Sequence, residues 1–271
     1  MKIGTQIVIL LVLLLQFHAA EAGTRTIRGE KADDAVNEDI LDEEELELAN
    51  AVQRRAKRGK GGGKGMGKYS NYFVRDDYTL TLTIINESFN QPFSEFFVMV
   101  HNRMAEPLYR RGQPASAALA RLAEDGTAMP LMMYYRENSR GVHSVSIHND
   151  NAPYVGGEST QIEVRVSPRF PMVTIATMAI NTNDCFVSVN GVALSPGDVL
   201  DLPGLDAGSE ENNEMCNSIP GPGCPMGSGN VASGNGEGFV HVHRGFHGVG
   251  NLLPQSRYDW RNPMMRVVVS R

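Results

Sequence analysis

The sequence predicts an all-β protein, an antiparallel β-sandwich carrying one short helix. Three observations predict it. Several short segments either alternate polar and apolar residues or run apolar throughout. Gly, Pro, Asn and Asp separate them. Only one stretch has helical punctuation at both ends. Many short strands with turn residues between them need a second layer to bury their apolar faces, and two packed sheets supply it.

Asp77–Asn86 reads Asp-Tyr-Thr-Leu-Thr-Leu-Thr-Ile-Ile-Asn, alternating and rich in β-branched residues, the pattern of a half-buried strand. Phe96–Val100 is a second strand. Pro114–Glu124 is the helix: Pro lies near its start, Asp125-Gly126 stops it, and Ala118, Leu119 and Leu122 share one face. Gln161–Val166 alternates again. Met172–Ile180 is mostly apolar, and Cys185–Val189 follows after a polar turn. Phe239–Val242 and Met265–Ser270 complete the strands. Ser209–Gly238 is rich in Gly, Asn and Ser and reads as a long loop.

The first 70 residues have a different character. Lys2, the apolar run Ile7–Leu15 and Ala20-Glu21-Ala22 fit a signal peptide over residues 1–22, cleaved after Ala22. The apolar run is too short to span a bilayer comfortably. Residues 23–58 hold ten acids and seven bases and end in Arg55-Ala56-Lys57-Arg58, a furin-like site. This reads as an acidic pro-segment cut after Arg58. Residues 59–70 are a basic Gly/Lys linker, able to make weak contact with anionic surfaces. Gly62–Lys68 matches the phosphate-loop spacing, but Tyr69 stands where Ser or Thr is needed and no strand precedes it. Residues 71–271 are then one β-sandwich domain of a secreted, extracellular protein.

The whole chain carries a net charge of −6, so nothing global favours nucleic acid. Three cysteines are too few for a disulfide scaffold, so an apolar core must hold the fold. Cys216 and Cys224 are the candidate pair, across a Gly/Pro loop, with Cys185 left as a core residue; the spacing leaves other pairings open. Asn86-Glu87-Ser88 is the one N-x-S/T sequon, a glycan acceptor if Asn86 is exposed.

Two acidic segments suggest a metal. Ile180–Val187 is a polar turn between apolar strands, and Leu205–Glu214 is an acidic loop. Ca²⁺ takes six to eight oxygen ligands, which converging loops at one end of a sandwich can supply. The EF-hand spacing is absent.

Met172–Val187, Asp206-Ala207-Gly208 and Asp259-Trp260-Arg261-Asn262-Pro263 resemble the spondin domain, in its compact stand-alone form. Leu119–Gly126 and His241–Gly248 fit the same pattern, so the resemblance runs from Tyr78 to Arg271. It implies an antiparallel β-sandwich akin to membrane-targeting calcium-binding domains, with one bound Ca²⁺. In that family the ion is held by an Asp in a Pro-Asp or Asn-Asp turn and by two acids four residues apart. Asp184 matches the first, Asp206 the second and Glu210 the third, with Glu in place of the family's Asp. The resemblance also implies a non-enzymatic module that binds extracellular protein or glycan in matrix or adhesion. The Cys-rich and Trp-rich repeats that accompany many such domains are absent.

Two rival readings start from other residues. His241 and His243 are two apart on an expected strand and so share a face; with His247 they make an alternative metal set, for Zn²⁺ in a secreted hydrolase. No metalloprotease spacing and no G-x-S-x-G elbow supports that chemistry. The second rival is a structural matrix or cell-wall component whose basic linker adheres to acidic polymer. Asp259-Trp260-Arg261 reads as a structural corner.

Overall fold

The computed structural model describes residues 77–150, 154–225, 228–229, 231–252 and 254–271. The segments expected to be signal peptide, pro-segment and linker, with the expected cleavage positions Ala22 and Arg58, lie outside the described residues.

Two antiparallel sheets form the domain. β1 (Tyr78–Asn86) lies between β4 (Ser159–Val166) and β10 (Met265–Ser270), and β7 (Val199–Leu202) pairs with β10. The second sheet runs β3 (Val142–His148), β2 (Phe96–His101), β5 (Met172–Met178), β6 (Cys185–Ala193), β8 (Leu205–Asp206) and β9 (His241–Val242). The expected sandwich is therefore the observed one.

The two sheets differ in what covers them. In β1 the inward Leu80, Leu82 and Ile84 are buried and the Thr residues between them are not, so its outer face meets water. β2 is buried at every position. Its Val98 and Val100 enter the core between the sheets with Leu82, Ile175 and Val267. Its Phe97 and Met99 face a second apolar layer with Leu119, Leu122, Leu131 and Tyr135. Those four residues come from α1 (Ala117–Asp125) and α2 (Met129–Glu137), which cover the outer face of the six-stranded sheet.

The helix α1 starts three residues later than its sequence suggests. Ser116 is its N-cap, with the hydroxyl accepting from the Leu119 N–H at 3.2 Å, and Gly126 ends it with φ +72°. The second helix was not expected. It is Met-rich and has no side-chain cap, so little in its sequence marks its start. A single turn, α3 (Gln255–Tyr258), precedes β10. Among the described residues, no helix is long and apolar enough to cross a membrane.

The condition set for a glycan at Asn86 is not met. Asn86 is 2 % exposed, and its amide donates to the carbonyls of Gln91 at 2.9 Å and Tyr154 at 2.8 Å. This side chain ties the β1 exit to the loop that follows it.

Candidate metal centre

The six-stranded sheet ends on a group of buried acids. β8 pairs with the start of β6, placing Cys185 opposite Asp206. Asp184 precedes β6 by one residue, so the register brings Asp184 and Asp206 to the same end of the sheet. The turn that delivers Asp184 is fixed by Thr182, whose hydroxyl donates to the Ala179 carbonyl at 2.6 Å and accepts from the Cys185 N–H at 3.1 Å.

Asp184 is 0 % exposed and Asp206 is 1 % exposed. Asp184 Oδ2 accepts from the Ser209 N–H at 2.8 Å and the Glu210 N–H at 3.0 Å. Its Oδ1 is buried and has no hydrogen-bond partner. Asp206 Oδ1 accepts from the Gly208 N–H at 2.7 Å, and Oδ2 from the Asn212 amide at 2.6 Å. Gly208 has φ +67°, and a Cβ there would stand 2.4 Å from the Phe239 carbonyl oxygen, so the loop closes this tightly only with glycine.

Burial raises the Asp184 carboxyl to about 7, and the Asp206 charge pushes it the same way. Burial also raises Asp206. Glu210 donates its N–H to Asp184, but its carboxylate is engaged elsewhere: Oε1 accepts from the Ser233 N–H at 3.1 Å and Oε2 from the Ser233 hydroxyl at 3.4 Å. Burial raises Glu210 to about 7, with the Glu124 charge adding to it. The structure thus places Asp184 and Asp206 at the same end of the sheet, near enough for their charges to interact, and holds the Glu210 carboxylate on Ser233.

The donor set fits a hard cation at the two aspartates. An orphaned, fully buried carboxylate oxygen beside a second buried carboxylate is stabilised by a positive charge or a proton and by little else.

The three histidines do not act as a set. His241 Nε2 lies 3.7 Å from Asp206 Oδ1 and His243 Nε2 lies 3.9 Å from Asp206 Oδ2, so both rings approach the same carboxylate. His243 is spent on structure. Its Nδ1 accepts from the Gly245 N–H at 3.0 Å, leaving Nε2 to donate to the Asn212 carbonyl oxygen at 3.0 Å. Its ring packs 5.0 Å from Trp260, and burial pushes it down to about 3, so it is neutral. His247 is exposed, and its backbone N–H donates to Glu214. What converges instead, among the described residues, is Asp206, Glu237 and His241, with one ligand atom from each within 4.8 Å of the others.

Glu237 and Asn212 are the site residues that the sequence alone did not single out. Asn212 stands inside the acidic loop and orients both Asp206 and His243. Glu237 has one faint signal: it is the only acid between Met215 and Tyr258, four residues ahead of His241.

Two features frame the loop. Glu214 is 5 % exposed, has φ +53°, and its carboxylate accepts from the backbone N–H groups of His247 and Val249, the latter at 2.7 Å. Cys216 and Cys224 are joined by a disulfide eight residues apart, and Cys185 is a free, buried thiol. The Trp260 corner is buried, with Arg261 bound to Asp259.

A family model described as Spondin_N matches residues 78–214, half of the chain. No curated protein matches the chain. The matched segment contains both sheets' first strands, the two helices, and Asp184, Asp206, Glu210 and Glu214, and on that match the chain belongs to the Spondin_N family.

Proposed function

We propose that the domain is a secreted, non-enzymatic interaction module of spondin type, in which Ca²⁺ clamps the Asp184 turn to the Asp206 loop. The observation that carries this reading is Asp184 Oδ1, buried and unpartnered beside a second buried carboxylate. Calcium prefers oxygen and tolerates irregular geometry, and extracellular modules bind it with modest affinity. The ion would neutralise the pair and hold the loop that begins at Ser209, pre-ordering a surface for an extracellular protein or glycan.

The extracellular reading has two further supports. The Cys216–Cys224 disulfide suits an oxidising compartment. The family itself is the second.

The test is thermal unfolding with Ca²⁺ or EDTA. An ion present at 100 times its Kd adds about 2.7 kcal/mol, which raises Tm by about 5–10 °C in a domain of this size. Asp184→Asn should abolish the rise. An equal rise in Asp184→Asn and Asp206→Asn would place the ion elsewhere.

A further inference from the structure

We propose that Asp206, Glu237 and His241 form a second metal site, built for a zinc-class ion through one imidazole nitrogen and two carboxylate oxygens. Its ligand set overlaps the calcium reading only at Asp206. Asp184 and Glu210 take no part in it, and Glu237 and His241 take no part in the other.

The placement begins with strand register. β8 and β9 pair Asp206 directly opposite His241. Opposed side chains in an antiparallel pair lie on the same face, close enough to interact. Glu237 reaches the same point from four residues upstream, with His241 Nε2 at 3.7 Å from Asp206 Oδ1 and 3.8 Å from Glu237 Oε2.

The tautomer then decides the chemistry. His241 Nδ1 lies 2.9 Å from the Val242 carbonyl oxygen. A carbonyl only accepts, so Nδ1 carries the proton and donates it there. Nε2 is then the ring atom left to bind, and it is buried with no hydrogen-bond partner. The two carboxylate oxygens nearest it, at 3.7 and 3.8 Å, are too far for hydrogen bonds, so Nε2 is not satisfied by either. A tetrahedral zinc at ordinary bond lengths holds its ligand atoms about 3.4 Å apart, so the two distances from His241 Nε2 need a few tenths of an ångström of closure.

The surrounding bonds match such a role. A ligating imidazole commonly donates its other N–H to a backbone carbonyl, which fixes the ring and raises its basicity. The Val242 carbonyl does this for His241. The Asp206 carboxylate is held by Gly208 and Asn212. The Phe239 ring lies 5.3 Å from the His241 ring. Imidazole favours zinc-class ions over Ca²⁺, which separates this site from the all-oxygen pair. The Glu237 side chain is 37 % exposed and that of His241 20 %, while Nε2 itself is buried, so the three ligands meet just beneath the surface.

The experiment titrates the secreted chain with Zn²⁺, and with Co²⁺ as its visible-absorbing stand-in, in excess Ca²⁺. One Zn²⁺ per chain is expected at this site, with Co²⁺ giving the absorption of a low-coordinate N/O site. His241→Gln and Glu237→Gln should each weaken Zn²⁺ binding by at least about tenfold and leave the Ca²⁺-induced rise in Tm unchanged. Asp184→Asn should do the reverse, so failure of one site is distinguishable from failure of the other. Zn²⁺ affinity unaltered in both His241→Gln and Glu237→Gln overturns the proposal. Imidazole ¹⁵N spectra of the unsubstituted chain provide a check that needs no variant. Zn²⁺ must shift His241 Nε2 and leave Nδ1 protonated, and a shift confined to His247 overturns the assignment.

Discussion

Glu214 and Asp184 are both buried acids at the rim of the same sandwich, and they are buried for opposite reasons. Both oxygens of Glu214 are met by backbone N–H groups from the segment at 247–249. Asp184 meets backbone N–H groups with Oδ2 alone and leaves Oδ1 without a partner. A fully satisfied carboxylate is a structural bolt, because its charge is spread over fixed donors. A half-satisfied one, next to a second carboxylate, is a place kept for something the chain does not supply.

Four experiments separate the bolt from the binding place. Glu214→Ala should be the most damaging. It strips the carboxylate acceptors from two part-buried N–H groups, at about 3 kcal/mol, read as a lower midpoint in urea. The Ca²⁺ response should survive wherever the variant stays folded, and its loss would merge the two regions into one.

The second is a pH series without Ca²⁺. The folded Asp184 carboxyl stands at about 7 against 3.8 when free. A carboxyl raised on folding stabilises fully below its unfolded value, and that contribution fades as pH climbs to the folded one. Cation-free Tm should therefore fall between about pH 4 and pH 7, while Ca²⁺ should flatten the slope and stabilise more at neutral pH than at acid pH. A flat cation-free profile would remove Asp184 as the source.

A smaller effect belongs to the disulfide. Replacing Cys216 and Cys224 with alanine releases a short loop, worth about 2.5 kcal/mol by loop closure. It should lower the urea midpoint without altering the Ca²⁺ rise. The least effect is expected at Asn86, where the buried, doubly bonded amide should carry no glycan in a glycosylating host. A mobility shift on glycosidase treatment would contradict it.

The strands that alternate polar and apolar residues in the sequence are those with one wet face. β1 and β4 alternate because water lies on one side of their sheet. β3 also runs along a sheet edge, but its polar positions are His and Ser and its apolar ones only half-buried, so the pattern stayed faint. β7 and β8 are too short for any periodicity. The second helix was hidden by its missing cap.

Asp184 and Asp206 were legible because each sits in a recognisable local segment. Glu237 was not, because its meeting with Asp206 depends on a two-residue pairing between β8 and β9 across more than thirty positions of loop. Glu210 illustrates the converse: the family resemblance implied a ligand there, while the structure engages its carboxylate with Ser233.

The helices over the six-stranded sheet have a consequence for recognition. They occupy the apolar face that a flat docking partner would otherwise seek, and the inner face is already taken by the other sheet. That sheet is an internal partition, walled on both sides. In the proposed module, contact then falls to the margins, the loops and strand ends where Asp184, Asp206 and His241 lie. Sequence change there would alter what such a module binds without disturbing the wall that holds it.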